Sequence, residues 1–125
     1  MIFDTDILIW FMHGNEKAVK FIDSSARKYI SVVTYMELLQ GSRNKNELRN
    51  LKTFLEEMDF NMLPLTENTG HRASIYMEQY VLKSGMRMAD ALIAATAAEH
   101  ALPLATGNVK DFKMIAEIDV KAFHP

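Results

Sequence analysis

Short β-like runs alternate with longer helical segments along the whole chain, and this alternation leaves few folds open. Residues 1–3 are apolar, residues 29–33 (YISVV) are rich in the β-branched residues that favour strands, and residues 102–105 form a third strand candidate. Strands separated by helices imply right-handed βαβ crossovers. We therefore expect a three-layer α/β/α sandwich with a mostly parallel central sheet, in which ligands bind beyond the carboxyl ends of the strands.

Periodicity and end signals place the other elements. Residues 44–58 carry Leu and Phe at spacings of three and four with charged residues between them, which is typical of an amphipathic helix. Residues 7–12 are apolar on every side and predict a helix that is buried all round. The remaining predictions are a helix after Asn15, a helix from Thr34 to Gly41, a possible strand over 60–65, helices over 66–84 and 90–100, a short helix over 109–115 and a last run near Val120.

Length and composition narrow the class of protein. The chain has 125 residues, 49% apolar and 24% charged, so we expect one globular domain spanning residues 1–125. The absence of Cys excludes a disulfide scaffold and a thiolate metal site, and no apolar run approaches the length of a membrane span, which predicts a soluble cytoplasmic protein. A net charge of −2 provides no global basic field, so any nucleic-acid binding must depend on local features.

Four acidic residues lie at predicted strand-to-helix junctions or at the beginnings of helices: Asp4, Glu37, Asp90 and Asp111. In a parallel sheet these junctions meet at one edge. Carboxylates that meet there raise each other's pKa unless a multivalent cation holds them together. Because hard divalent ions prefer oxygen ligands and the chain has no Cys and no paired His, the cation we expect is Mg²⁺ or Mn²⁺.

Each acid also has a purely structural interpretation. Thr34 and Glu37 have capping-box spacing, in which the glutamate bonds back to the threonine amide. Asp90 fits an N-cap or a first-turn acid favoured by the helix dipole, and Asn108 and Asp111 have N-cap and N3 spacing. For Asp6, capping of the first helix is the preferred interpretation over metal ligation.

Read together, the segments FDTDIL, SVVTYMELLQG, ADALIAATA and LATGNVKDF, in this order, resemble the PIN-domain nucleases, and in particular the VapC toxins of VapBC toxin-antitoxin pairs. By that resemblance the family's acids fall on Asp4, Glu37 and Asp90. The fourth position falls on Asp111, with Asn108 as the other candidate. Thr106 resembles the residue that hydrogen-bonds the acid cluster, whereas Asp6 departs from the asparagine that usually follows the family's Asp-Thr pair.

The resemblance implies a divalent-metal-dependent endoribonuclease that cleaves tRNA, rRNA or mRNA as the toxin of a type II pair. It also implies a VapB-like antitoxin partner and a homodimer. Phosphodiester hydrolysis by metal-activated water needs metal ligands, here assigned to Asp4 and Asp90, with Glu37 and Asp111 completing the set. The cations expected to hold flanking RNA phosphates are Arg43, Lys45, Arg87 and Lys110.

Two other functions compete with this interpretation. One is a noncatalytic PIN-fold module that binds RNA or protein. The other is a receiver-type domain that binds Mg²⁺ and accepts a phosphoryl group, which requires an aspartate after a central strand. In this chain the YISVV run is followed by Thr34 and Tyr35, so the receiver alternative ranks behind.

Overall fold

A computed structural model describes residues 1–125 of the protein. Its strands are β1 (Ile2–Phe3), β2 (Tyr29–Ser31), β3 (Asn61–Leu63), β4 (Leu104–Thr106) and β5 (Val120–Ala122). They form one sheet in the order β3-β2-β1-β4-β5, and every neighbouring pair is parallel. The central strand β1 pairs on both sides, with Ile2 opposite Tyr29 and Leu104. The predicted parallel α/β architecture is therefore confirmed.

Helices connect the strands. They are α1 (Thr5–Met12), α2 (Glu16–Asp23), α3 (Val32–Gln40), α4 (Lys45–Glu57), α5 (Glu67–Ser84) and α6 (Met88–Glu99), followed by a 3-10 helix over Val109–Asp111. None of the helices combines the length and the apolar character that crossing a bilayer would require.

The core consists of two apolar clusters, one on each face of the sheet. Because successive strand side chains point to opposite faces, Ile2 packs in one cluster with residues such as Ile93, and Phe3 packs in the other with residues such as Ile7 and Ile30. Both clusters contain fully buried side chains. Four alanines of α6 lie in the first cluster and are fully buried, which lets that helix approach the sheet closely. The two clusters account for the three layers.

Several helix ends follow the sequence prediction because their end signals are strong. The side chain of Asn15 accepts a hydrogen bond from the backbone at the start of α2, and Asn44 and Thr66 do the same for α4 and α5. Gly85 ends α5 in the left-handed conformation, with φ of 67°. These helices were predicted to within about a residue or two of their ends.

The boundary between β2 and α3 was predicted in the wrong place. The predicted strand continued to Val33, whereas β2 ends at Ser31 and α3 begins at Val32. The Ser31 side chain accepts a hydrogen bond from the Val33 amide at 3.0 Å and caps the helix. The two β-branched valines favour a strand by propensity, but the cap and the packing of Val33 in the core outweigh that preference.

The prediction that the first helix is buried all round was also wrong. Ile7 and Leu8 are fully buried, but Ile9, Trp10 and Met12 are 43%, 41% and 46% exposed. The helix packs against one face of the sheet, so its opposite side faces solvent despite an apolar sequence.

Smaller shifts occur near the carboxyl terminus. Helix α6 begins at Met88, two residues before the predicted start, and the helix expected over 109–115 is only the 3-10 turn Val109–Asp111. The strand expected over 102–105 is displaced towards Thr106.

A charged network fixes the far end of α6. Arg72 of α5 donates to Glu99 at 2.6 Å and to Glu117 at 2.8 Å, and the Tyr76 hydroxyl also donates to Glu117. The network joins α5, α6 and the segment before β5. It holds the helix that carries Asp90.

Candidate active site at the carboxyl edge of the sheet

Asp4 is the first acid at the carboxyl edge. It directly follows β1 and is the N-cap of α1, where its Oδ1 accepts a hydrogen bond from the Thr5 amide at 2.8 Å. Its Oδ2 accepts from the Thr106 hydroxyl of β4 at 2.7 Å. Asp4 is 5% exposed and Thr106 is fully buried. Neighbouring strands thus hold this carboxylate in one orientation.

The surroundings disfavour the ionised form of Asp4. Burial, followed by the negative charge of Asp6, raises the pKa of Asp4 to about 7, against the lowering effect of the Thr106 and Thr5 hydrogen bonds. The charge of Asp90 adds to the rise. Because no basic side chain compensates these charges at Asp4, the position suits a bound cation.

Asp6 does not cap α1, so that prediction was wrong: Asp4 occupies the N-cap, and Asp6 lies in the first turn. Its Oδ2 accepts hydrogen bonds from the Gly107 amide at 2.9 Å and from the Asn108 side-chain amide at 3.5 Å. Its Oδ1 is buried and has no partner in the protein. Burial is the largest cause that raises the pKa of Asp6. The side chain therefore links α1 to the segment after β4.

Glycine at position 107 permits this link. A Cβ atom at that position would lie 2.6 Å from Asp6 Oδ2, well inside van der Waals contact. Only a residue without a side chain lets the backbone amide come this close to the carboxylate.

The capping-box interpretation of Glu37 was wrong. Ser31 is the N-cap of α3, and Thr34 lies inside the helix. Glu37 Oε1 instead accepts a hydrogen bond from the Thr5 hydroxyl at 2.7 Å. This contact joins α3 to the beginning of α1 and directs Glu37 towards the carboxyl edge.

Asp90 is not an N-cap, which corrects the first half of its structural interpretation. The N-cap of α6 is Arg87, and Asp90 is the acid of the first turn, as the dipole interpretation requires. Burial, then the charge of Asp111, then that of Glu37 raise the pKa of Asp90, while the Arg87 charge lowers it. The charges of three acids on different elements therefore act on one another at this position.

The two candidates for the fourth position differ in what they contact. Asp111 ends the 3-10 helix, and its charge acts on Asp90. The Asn108 amide donates to the Thr106 hydroxyl oxygen at 2.9 Å, and its side chain points to Asp6. Asn108 is the N-cap residue of the 3-10 helix and Asp111 is its third residue, as their spacing predicted, although the Asn108 side chain makes no cap bond.

Comparison with known proteins identifies the family. A family model for the PIN domain matches residues 1–118. The chain belongs to the PIN-domain family. Ribonuclease VapC1 of Rickettsia felis is 36% identical over 126 residues, an alignment that covers 96% of this chain and 93% of that protein.

Solved structures agree with this assignment. A toxin-antitoxin complex from Klebsiella pneumoniae matches with a TM-score of 0.80 and 29% identity, covering 94% of this chain and 93% of that one. VapBC-1 from nontypeable Haemophilus influenzae matches with a TM-score of 0.80 and 25% identity, covering 98% of both chains. The resemblance to VapC-type PIN domains is thus confirmed. The chain is a PIN domain and not a receiver-type domain.

The donor set of this PIN domain fits a hard divalent cation. All candidate ligands are carboxylate oxygens, their charges raise the pKa of Asp4 and Asp90, and Asp6 Oδ1 is a buried oxygen that lacks a partner. As the side chains stand, no three acids or histidines meet in a geometry that would hold an ion.

The candidate RNA-binding cations are exposed around the PIN domain, and two of them have acidic neighbours. Arg43 forms an ion pair with Glu47 at 3.1 Å, and Arg87 acts electrostatically on Asp90. Lys45 and Lys110 are exposed and form no salt bridge.

A groove of about 680 Å³ lies between the ends of α1 and α3 and the start of α4. Glu37 lines it together with Ile9, Met12 and Arg43. A separate cavity of about 530 Å³ beside Arg72 contains none of the candidate acids.

Sequence reasoning missed Thr5 and Gly107, and it assigned Thr34 only to a cap. The signal for Thr5 was its position directly after Asp4, at the start of a helix that follows a strand. The signal for Gly107 was its position directly after Thr106, at the end of a predicted strand. Nothing in the sequence indicates that the Thr5 side chain reaches Glu37, which lies 32 residues away.

Proposed function

We propose that this PIN domain is a divalent-metal-dependent endoribonuclease and the toxin of a type II toxin-antitoxin pair. The observation that carries the proposal is the convergence of acids from four separate elements: Asp90 acts electrostatically on Asp4, and Asp111 and Glu37 act on Asp90. Coupling of this kind is costly for stability and is typical of sites that bind a cation or perform chemistry. The VapC name of the relative in Rickettsia felis supports ribonuclease activity.

Asp4 and Asp90 are the proposed direct ligands of Mg²⁺ or Mn²⁺, and Glu37 and Asp111 complete the acidic set. When bound, the ion supplies charge neutralisation at the phosphate and a more acidic water. The chain's own contribution is orientation. Thr106 holds one oxygen of Asp4, and the Thr5 hydroxyl holds one oxygen of Glu37.

RNA binding must overcome the negative charge of the site. We assign the flanking phosphates to Arg43, Lys45, Arg87 and Lys110, because the net charge of −2 provides no general attraction. Arg87 is the nearest of these to the acids in electrostatic terms, since its charge lowers the pKa of Asp90. Arg43 would have to break its ion pair with Glu47 before it could bind a phosphate.

The proposed partner is a VapB-like antitoxin, and the proposed assembly includes a homodimer. Support for the antitoxin comes from the toxin-antitoxin complexes among the matching structures. The groove lined by Ile9, Met12 and Glu37 contains one of the candidate acids and offers both apolar contacts and a carboxylate. An antitoxin segment with apolar residues and an Arg would complement both features.

The test compares cleavage of a tRNA and rRNA panel by the full chain, freed of any partner, with Mg²⁺, with Mn²⁺ and with EDTA. We expect cleavage with either ion and at least a hundredfold loss, about 3 kcal/mol in barrier, for Asp4→Asn and Asp90→Asn. Asp23→Asn is the matched control, because Asp23 is exposed at the end of α2 and outside the site.

Cleavage that survives chelation or both site substitutions would contradict the proposal. RNA binding without cleavage by a folded wild-type protein would instead establish the noncatalytic alternative.

A further inference from the structure

We propose that Thr5 is a positioning residue, whose hydroxyl is held by Thr34 and fixes the Glu37 carboxylate in the active site. The inference rests on the proposed ribonuclease function and concerns how one of its acids is oriented. It assigns a role to two buried, uncharged threonines.

The contact between Thr5 and Thr34 is buried, the contact between Thr5 and Glu37 is partly buried, and both join α1 to α3. Thr5 Oγ1 lies 2.7 Å from Glu37 Oε1 and 3.1 Å from Thr34 Oγ1. Thr34 is fully buried, and Thr5 is 9% exposed. Buried hydroxyls that lose a partner cost free energy, so this geometry is retained only while all three groups stay together.

Proton accounting gives the contact a direction. The Thr5 hydroxyl has one proton, and an ionised carboxylate can only accept. The Thr5 hydroxyl is therefore the donor to Glu37, and its geometry also allows donation to the Thr34 hydroxyl oxygen. The contact with Glu37 is the shorter one, 2.7 Å against 3.1 Å, so the Thr5 proton lies mainly towards the carboxylate while Thr34 packs beside the same oxygen.

The arrangement leaves the second carboxylate oxygen of Glu37 without a hydrogen bond from the protein, so that it is available to the proposed active site. Oε1 is occupied by Thr5, whereas Oε2 accepts no hydrogen bond from the protein and is not buried. The negative charge of Glu37 raises the pKa of Asp90, so the carboxylate acts on the neighbouring acid. Fixing one oxygen therefore restricts the positions that the second oxygen can take.

Thr5 contacts two acids through different atoms. Its backbone amide donates to Asp4 at 2.8 Å, and its side chain donates to Glu37. A substitution that changes only the side chain keeps the hydrogen bond from the backbone amide to Asp4. Substitutions at position 5 therefore test the orientation of Glu37 separately from that of Asp4.

The first experiment measures Mn²⁺ affinity by calorimetry and RNA cleavage for Thr5→Val and Thr5→Ser in the full chain. Valine matches the shape of threonine and lacks the hydroxyl, so we expect about a tenfold to hundredfold loss in Mn²⁺ affinity and kcat, the size typical of lost supporting bonds to ligands. KM should change by less than about threefold, because Thr5 is buried and its hydroxyl is bonded to Glu37. Serine keeps the hydroxyl and should restore most of the loss.

Thr96→Val is the matched control, since Thr96 is fully buried and its hydroxyl bonds only within α6, to the Leu92 carbonyl. Its effect on affinity and kcat should stay within about twofold. Thr34→Val is a second variant that removes the hydroxyl oxygen in contact with Thr5, and it should cause a smaller loss in the same direction. Far-ultraviolet circular dichroism and urea unfolding check that each variant is folded.

A double-mutant cycle identifies the group through which Thr5 acts. If Thr5 works through Glu37, adding Thr5→Val to Glu37→Ala should lower Mn²⁺ affinity no further. A merely structural threonine would add its own loss in both backgrounds.

The outcomes separate the two proposals. Wild-type protein that binds Mn²⁺ but cleaves no RNA contradicts the ribonuclease function, while the affinity cycle still decides the role of Thr5. Wild-type affinity in Thr5→Val, equal losses in the valine and serine variants, or an additive cycle would overturn the positioning role alone.

Discussion

The Asp4 carboxylate carries an electrostatic cost in the cation-free protein, because burial and the charge of Asp6 raise its pKa to about 7. The pKa of an unfolded aspartate is near 3.8. The folded state therefore binds the proton more tightly than the unfolded state. The contribution of Asp4 to the free energy of unfolding is therefore greatest below about pH 4, and it is lost as the pH rises through about 7.

Asp4→Asn should accordingly stabilise the protein at pH 8 in EDTA, although it removes a proposed ligand. A rise of about three pKa units at about 1.4 kcal/mol each sets an upper limit of about 4 kcal/mol on the gain. Near pH 4 the gain should vanish, because Asp4 is then protonated in the folded wild type. Urea unfolding of wild type and Asp4→Asn at about pH 4, 6 and 8, which spans the titration of Asp4, measures the difference in the free energy of unfolding.

Asp23→Asn serves as the control and should shift the free energy of unfolding by less than about 0.5 kcal/mol at every pH. A variant at Asp4 that is less stable than wild type at pH 8 would show that the Thr106 and Thr5 hydrogen bonds outweigh the cost of burial.

Gly107 offers a second test at the scale of single residues. Gly107→Ala places a Cβ atom 2.6 Å from Asp6 Oδ2, so the carboxylate or the backbone must move. We expect a loss of about 1–3 kcal/mol in the free energy of unfolding, the usual cost of overpacking. Gly70→Ala is the control, and it should raise the free energy of unfolding. A Cβ atom added at Gly70 meets nothing within 4 Å, and alanine favours the helix α5 in which it lies.

Equal stability of Gly107→Ala and wild type in urea unfolding would mean that Asp6 moves at no cost. Asp6→Ala in the same background should recover part of the loss if the clash with its carboxylate is the cause.

The sequence predicts some of these side chains and not others, for physical reasons. The proximity of Asp4 to Thr106 follows from a parallel sheet, because both residues lie at strand ends. The role of Asp6 does not follow, since an acid at either of two neighbouring positions can begin a helix. The geometry of β1 and α1 decides that Asp4 is the cap and that Asp6 reaches Gly107.

At the scale of elements, helix α3 shows where local preference misleads. Its first residues are valines, so the sequence favours a longer strand, and the cap is a buried serine. Helices α4 and α5 were predicted well because Asn44 and Thr66 are exposed caps before long periodic segments. Strands of two or three residues carry too little pattern to fix their ends.

Ser31→Ala tests the observed start of α3. Loss of the cap at the Val33 amide should cost about 1–2 kcal/mol in the free energy of unfolding, measured in urea. Ser74→Ala is the control, because Ser74 is exposed on α5 and its hydroxyl bonds to the His71 carbonyl of its own helix. Should the two variants be equally stable, Ser31 would not be the residue that begins the helix.

At the scale of the whole molecule, the parallel sheet follows from the alternation of strands and helices, and its consequence is the convergence of distant residues at one edge. The exposed sides of α1 were not predictable, because a helix with apolar residues all round gives no orientation. Its orientation depends on the position of the sheet, which involves residues from β1 to β5.

The hydrogen bond between Asp4 and Thr106 joins residues that are 102 positions apart, through the pairing of the central strand with β4. During translation, Asp4 leaves the ribosome long before Thr106 exists. A nascent chain therefore has no assembled acidic centre until β4 has emerged and docked beside β1. The topology therefore postpones any RNA cleavage by the proposed active site until residues 104–106 have been made and have paired with β1.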